Sequence, residues 1–171
     1  MSFRYLLIIP ALALTTAAFA QAPKKATATL MDAKGNKVGT ATITPSGKGV
    51  KITANFMGLP PGIHALHIHN VGKCDAPDFM TAGGHFNPTM HQHGKDNPQG
   101  AHAGDMPNFT ADAKGKAKVS VTNPDVTLGD GANSLFHPGG TALMIHAMPD
   151  DYKTDPTGNA GARIACGVIE K

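Results

Sequence analysis

Nine histidines stand in a chain of 171 residues, and several are spaced as metal ligands would be. In His67-Ile68-His69 the imidazoles lie at i and i+2, on one face of a strand. Their backbone origins are then roughly 7 Å apart, close enough for both rings to converge on one ion. His146 ends the apolar run Ala142-Leu143-Met144-Ile145 and could add a third ring from a neighbouring strand. His85, His93, His102 and Asp105 supply three imidazoles and a carboxylate, a sensible tetrahedral set for Zn²⁺. Imidazole-rich sites without thiolate suit zinc, copper, iron or nickel. Spacing alone neither chooses among these metals nor says whether the ion catalyses. A lone His-x-His is weak evidence, but three such groups in one domain are strong.

The elements that must position these residues are strands and long loops. Residues 26–32 and 38–44 alternate in Thr and small side chains, and Gly35-Asn36 between them offers the positive φ angles of a tight hairpin. Residues 50–57 and 63–69 follow, separated by Pro60-Pro61-Gly62; 117–122, 141–148 and 162–169 read as later strands. Ala113-Lys114-Gly115-Lys116 is another short turn. No stretch longer than a turn has helical period. The expected fold is all-β, an antiparallel sandwich or flattened barrel. Residues 70–111 and 149–161, dense in Gly, Pro, His and Asp, do not fit as strands. Loops this long in a small domain are usually functional. His85, His91, His93 and His102 sit in the first of them, and His67 and His69 lead into it.

Composition agrees. Eleven Asp stand against one Glu, with 20 Gly and 13 Pro, so the helix formers that a bundle needs are scarce. A net charge of +3 without a basic cluster argues against nucleic acid as a partner. Arg4, the apolar run Tyr5–Leu14 and Ala18-Phe19-Ala20 read as a secretory signal peptide over 1–20, leaving one exported domain at 21–171. The apolar run is too short for stable membrane insertion. Export places the protein in the periplasm or outside the cell. In such an oxidising compartment Cys74 and Cys166 read as a disulfide, with buried free thiols as the alternative.

At this point the residues resemble a known family. Gly62-Ile63-His64-Ala65-Leu66-His67-Ile68-His69 looks like the copper-site strand of the copper–zinc superoxide dismutases, and Gly83-Gly84-His85-Phe86-Asn87-Pro88 like their bridging-histidine motif. His102-Ala103-Gly104-Asp105 is similar to their zinc loop, and Gly158 to Ile169 to their C-terminal signature. The likeness covers Ala26 to the C-terminus. It implies a Greek-key sandwich and copper held by His67, His69, His85 and His146. It also implies zinc held by His85, His93, His102 and Asp105, with His85 bridging the two metals. Asp150 would orient a copper histidine and a zinc histidine. Cys74 and Cys166 match the family's disulfide, and Arg163 its active-site arginine, which attracts and orients a small anion. The implied reaction is dismutation of superoxide to oxygen and hydrogen peroxide, by alternating reduction and oxidation of copper.

The remaining histidines read more plainly. His64 is out of phase with His67 and His69 and matches a family histidine that hydrogen-bonds in the core. His91 and His137 read as surface loop residues; His91 beside Met90 could offer an accessory copper contact. The eight methionines read as filler. The short stretch between His69 and Cys74 resembles bacterial exported members. Few lysines stand near the entrance: Lys153 sits among Asp150, Asp151 and Asp155, and Lys95 is the nearest in the zinc loop, so weak electrostatic steering is expected. Bacterial members occur as a homodimer through differing faces and as monomers, and the sequence leaves that open. Two other readings compete: a copper carrier or metal buffer on the same fold, and a structural sandwich with zinc alone. A full ligand set with Arg163 argues against the first, and His67 and His146 against the second.

Overall fold

Period-2 alternation becomes strands with one apolar face. The computed structural model describes residues 22–171; the expected leader at 1–20 lies outside them. β1 (Ala26–Asp32), β2 (Lys37–Ser46) and β3 (Gly49–Phe56) are consecutive antiparallel hairpins. Val50, Ile52, Ala54 and Phe56 of β3 are buried, while Lys51, Thr53 and Asn55 face solvent. Leu30 of β1 and Ala41 and Ile43 of β2 join that core. The chain continues through β4 (Gly62–His64), β5 (Leu66–His69), β6 (Phe109–Ala111), β7 (Ala117–Asn123), β8 (Ala142–His146) and β9 (Arg163–Val168).

Seven strands form one curled antiparallel sheet in the order β5-β8-β9-β1-β2-β3-β7, and β4 pairs with β6. The chain leaves β3 and returns beside it only as β7, then crosses to the far side as β8, connections of the Greek-key kind. The result is the expected all-β flattened barrel, and it is partly open. Among the described residues no helix is long and apolar enough to cross a membrane.

Three expectations need correction. The run 63–69 is not one strand: Ala65 interrupts it, hydrogen-bonded to Met148 and His146, so β4 pairs with β6 while β5 pairs with β8. The segment 70–111 is not loop throughout, because Phe109–Ala111 form β6 and Met80–Ala82 a 3-10 turn. In the first hairpin Gly35 has φ 81° but Asn36 is not left-handed. The turn is held instead by Asp32, whose carboxylate accepts from the N–H groups of Lys34 and Asn36 and from the Asn36 side chain. Asp112 does the same for the turn before β7, accepting from Lys114 and Lys116.

β5 and β8 differ from β2 and β3 in having no exposed residue. Leu66, Ile68, Leu143 and Ile145 point into the barrel core. The other face carries His67, His69, Met144 and His146 beneath the two long loops. There Phe79, Ala82, Ala142, Met144 and Cys166 make a second small apolar cluster, with Cys74 against it. The Cys74–Cys166 disulfide spans a Cα–Cα distance of 5.6 Å and ties the first loop to β9.

Candidate metal centre

The loops are laid on β5 by main-chain bonds before any side chain matters. Ile68 N–H donates to Gly104 O (2.9 Å) and Phe86 N–H to Ile68 O (2.8 Å). A Cβ at Gly104 would overlap Ile68 O, so only glycine permits this approach. These contacts carry His85 and Asp105 to the outer face of β5, opposite His69 and His67 respectively. A register shift between Ile145 and His146 pairs His146 with Arg163 and leaves Ile164 unmatched. Such bulges re-aim side chains beside functional sites.

Two clusters result. His67, His69, His85 and His146 form one, His85, His93, His102 and Asp105 the other; within each, one ligand atom per residue lies within 4.8 Å of all the rest. Every histidine named is buried, as is Asp150. His85 belongs to both clusters. Its Nδ1 lies 2.9 Å from Asp105 Oδ1 and 3.4 Å from His102 Nδ1, leaving Nε2 for the four-imidazole cluster. Asp150 joins the clusters from outside, with Oδ2 2.7 Å from His67 Nε2 and Oδ1 2.9 Å from His93 Nε2. A Cβ on Gly158 (φ +64°) would overlap this Asp150–His93 contact.

The donor atoms fit metal ions. Among the described residues the buried side-chain nitrogens without a hydrogen-bond partner include His67 Nδ1, His85 Nε2 and His93 Nδ1. Leaving such groups unsatisfied costs free energy, and an ion satisfies them. His69 Nε2 and His146 Nε2 face each other at 3.4 Å. Four imidazoles without thiolate suit copper, and three imidazoles with a carboxylate suit zinc.

Protonation follows the surroundings. Burial pushes His69 down to about 2 and His85 and His146 down to about 4, each a neutral ring with a lone pair to offer. Burial opposes the charged form of His93 as well, but the nearby Asp105 and Asp150 carboxylates outweigh it and raise that ring to about 9. Burial likewise disfavours ionised Asp105 and Asp150, yet the histidines around them hold both below the usual carboxylate range.

Arg163 opens onto the same place. Its guanidinium donates to Phe79 O and Gly83 O, both at 2.7 Å, and with His69, His85 and His146 lines an open cavity of about 330 Å³. Among the described residues no other Lys or Arg lines that cavity.

Of the remaining histidines, His64 is buried, its ring nitrogens 2.9 Å from His146 O and 2.8 Å from Pro60 O. His91 is exposed, with Nδ1 near Ala101 O. His137 departs from the expectation of a surface residue: it is half-buried and stacked on Phe86 at 5.2 Å. Sequence reasoning missed Asn108 and Tyr152, which fix Asp150, and the capping role of Asp155, whose Oδ1 accepts from His93 N–H at 2.6 Å. Asn108 and Asp155 reach their partners across the fold, and Tyr152, two residues from Asp150, also reaches Asn108 44 positions away; no local spacing announces the distant contacts.

This is a Greek-key barrel carrying two metal-type clusters that share one imidazole. The family profile described as "Copper/zinc superoxide dismutase (SODC)" matches residues 37–169. The chain is 55% identical over 148 residues to copper–zinc superoxide dismutase 1 of Aquifex aeolicus, covering 85% of this chain and 88% of that protein. The crystal structure of a superoxide-dismutase-like protein from Bacillus subtilis is similar at TM-score 0.80 and 40% identity, covering 83% of this chain and 96% of that one. Copper/zinc superoxide dismutase from Brucella abortus is similar at TM-score 0.67 and 31% identity, covering 85% and 99%. The chain belongs to the copper/zinc superoxide dismutase family. It is accordingly an oxidoreductase acting on superoxide, with copper and zinc as its cofactors.

Proposed function

We propose that the dismutation is carried by His67, His69, His85 and His146 as copper ligands, with His85, His93, His102 and Asp105 holding zinc. One observation carries this assignment: of the four buried side-chain nitrogens without hydrogen-bond partners among the described residues, three, His67 Nδ1, His85 Nε2 and His93 Nδ1, lie within the two clusters, and only His137 Nε2 lies outside. When bound, copper supplies one-electron redox chemistry and zinc a redox-inert positive charge.

The chain's own residues do the rest. His85 offers Nδ1 to one cluster and Nε2 to the other, so a proton can be held at Nε2 only while that nitrogen is not a ligand. Asp150 accepts from His67 Nε2–H and His93 Nε2–H, which fixes their tautomers and turns both Nδ1 atoms to the ions. Arg163, fastened by two carbonyls, presents the remaining face of its guanidinium to the cavity and orients a small anion there. The test is dismutase activity after loading with copper and zinc, beside metal analysis of His146→Ala. Fully metallated wild type without activity overturns the reading.

We also infer that residues 1–20 are removed on export and that 21–171 works in the periplasm or outside the cell. The disulfide supports this, since such bonds persist in oxidising compartments. The mass of the mature protein from whole cells and from periplasmic extract tests it, and an uncleaved cytoplasmic product rejects it.

A further inference from the structure

We propose that Tyr152 is a positioning residue for the metal centre, acting through Asn108 on Asp150. The inference rests on the ligand assignment above and concerns what holds Asp150 in place. A carboxylate that orients one ring of each cluster must itself be fixed, or it transmits its own freedom to both.

Asn108 fixes its backbone. The Asn108 side chain donates from Nδ2–H to Asp150 O and accepts from Asp150 N–H at Oδ1, both at 2.9 Å. Two bonds from one planar amide leave Asp150 little rotation. Asn108 is held in turn by Tyr152, whose phenol oxygen accepts from Asn108 N–H at 2.8 Å. Tyr152 closes the ring by donating its own N–H to Asp150 Oδ1 at 2.6 Å.

The same tyrosine reaches the other loop. Its carbonyl accepts from Asp96 N–H at 3.0 Å, and Lys95 Nζ lies 4.3 Å from the ring centroid. Gly94, next to His93, packs so closely on Tyr152 O that a Cβ there would overlap it. Tyr152 has φ 63°, a left-handed conformation that bulky residues rarely adopt. Asn or Gly would suit that backbone better, but neither could place an oxygen on Asn108 N–H. The side chain therefore accounts for the residue here: one ring and one hydroxyl tie the segment after His93, the start of β6 and the turn after β8 to a single carboxylate.

Tyr152→Phe keeps the ring and its Lys95 contact and removes only the oxygen. Zinc affinity, measured by chelator competition, is expected to fall about tenfold, the lower end of what loss of an outer partner costs. Asn108→Ala is expected to fall at least as far, and Tyr152→Phe in that background to add little, because both act through one clamp. Co²⁺ loaded in place of zinc should show an altered visible spectrum in Tyr152→Phe, a change that lowered fold stability alone would not produce. Lys95→Ala, which removes the contact over the ring and an exposed pair with Asp96 but spares the tyrosine hydroxyl, should leave zinc affinity unchanged. Zinc affinity equal to wild type in Tyr152→Phe, or effects of the two substitutions that add in full, overturns the proposal. Wild type that takes up no zinc overturns the ligand assignment itself, a result distinguishable because neither wild type nor variant then binds the metal.

Discussion

β3 and β5 share the same pleat, yet their two faces meet different surroundings. In β3 one face packs in the core and the other, with Lys51, Thr53 and Asn55, faces water. In β5 both faces are buried, one among Leu and Ile, the other among imidazoles and carboxylates under the long loops. The first region is stabilised by apolar burial and asks nothing of its surroundings. The second is a polar interior in which His67, His69, His85 and His146 each have one ring nitrogen on a carbonyl or carboxylate and the other turned toward the cluster. The molecule is thus an apolar barrel with a second, polar core on its outer face, which under the proposed ligand assignment would depend on metal. The difference can be tested because each region should respond to perturbations that spare the other.

The largest contrast is between His146→Ala and a deletion in the β3 region. Removing one of four imidazoles should lower dismutase activity by more than about 100-fold, beyond the cost of losing an outer partner. Ile52→Ala, at a fully buried site, should instead lower stability by about 2–5 kcal/mol while activity per folded molecule stays unchanged. Urea titration and activity assays on both variants check this. Loss of specific activity in Ile52→Ala would join the two regions that the comparison separates.

Metal removal should sharpen the contrast through pH. An unfolded histidine titrates near 6.5, whereas His69, His85 and His146 are pushed down to about 2, 4 and 4 by burial. Below pH 6.5 the unfolded chain takes up protons that the folded metal-free chain refuses. Stability therefore falls with pH from 6.5 towards 4. His93, raised to about 9, behaves oppositely: its contribution is complete below 6.5 and is lost as pH rises through 9. Urea midpoints of metal-free protein should thus be lower at pH 4.5 than at pH 7, and amide exchange should quicken first in residues 84–105 and 149–161. Uniform exchange across β1–β3 and β5 would contradict this.

Gly158→Ala is a smaller perturbation of the polar region. The added methyl overlaps the Asp150–His93 contact in a left-handed backbone. Zinc affinity should drop about 10–100-fold, measured by chelator competition, while the β1–β3 core keeps its exchange protection. Unchanged zinc binding would show that Asp150 is not needed to orient His93.

Legibility in the sequence divides along the same line. The β3 region obeys local rules, so its strands and hairpins are readable from alternation. Even there Asn36 misleads, because the Asp32 carboxylate takes over the turn, a pattern repeated at Asp112. In the polar region His67 and His69 are readable because strand period alone puts them on one face. The break at Ala65 is not, since it arises from pairing with residues near 146–148. Nor is the meeting of His146 with Arg163, which depends on a bulge that skips Ile164. Family likeness implied that His146 and Arg163 share a site, but neither it nor the local pattern showed the break at Ala65. Asn108 and Tyr152 were invisible to both, because Asn and Tyr are ordinary residues and their partners lie 42 and 44 positions away.

The smallest expected effect concerns how the polar region meets its substrate. Among the described residues Arg163 is the one Lys or Arg lining the cavity, and its two carbonyl bonds leave it no freedom to search. A single fixed cation orients an anion on arrival but attracts it from afar only feebly, with a Debye length of about 8 Å at physiological salt. Lys95 does not help, because it is engaged with Asp96 and lies over Tyr152. Arg163→Lys should therefore cost more through lost orientation than through lost charge, about tenfold in kcat/KM. Raising ionic strength from 10 to 150 mM should lower wild-type kcat/KM by less than about tenfold, at or below the weak end of steered association. Stopped-flow superoxide decay across that range measures both. A steep salt dependence surviving in Arg163→Met, which removes the charge, would place the attracting charge elsewhere, on the exposed barrel rather than on the face that carries the histidine clusters.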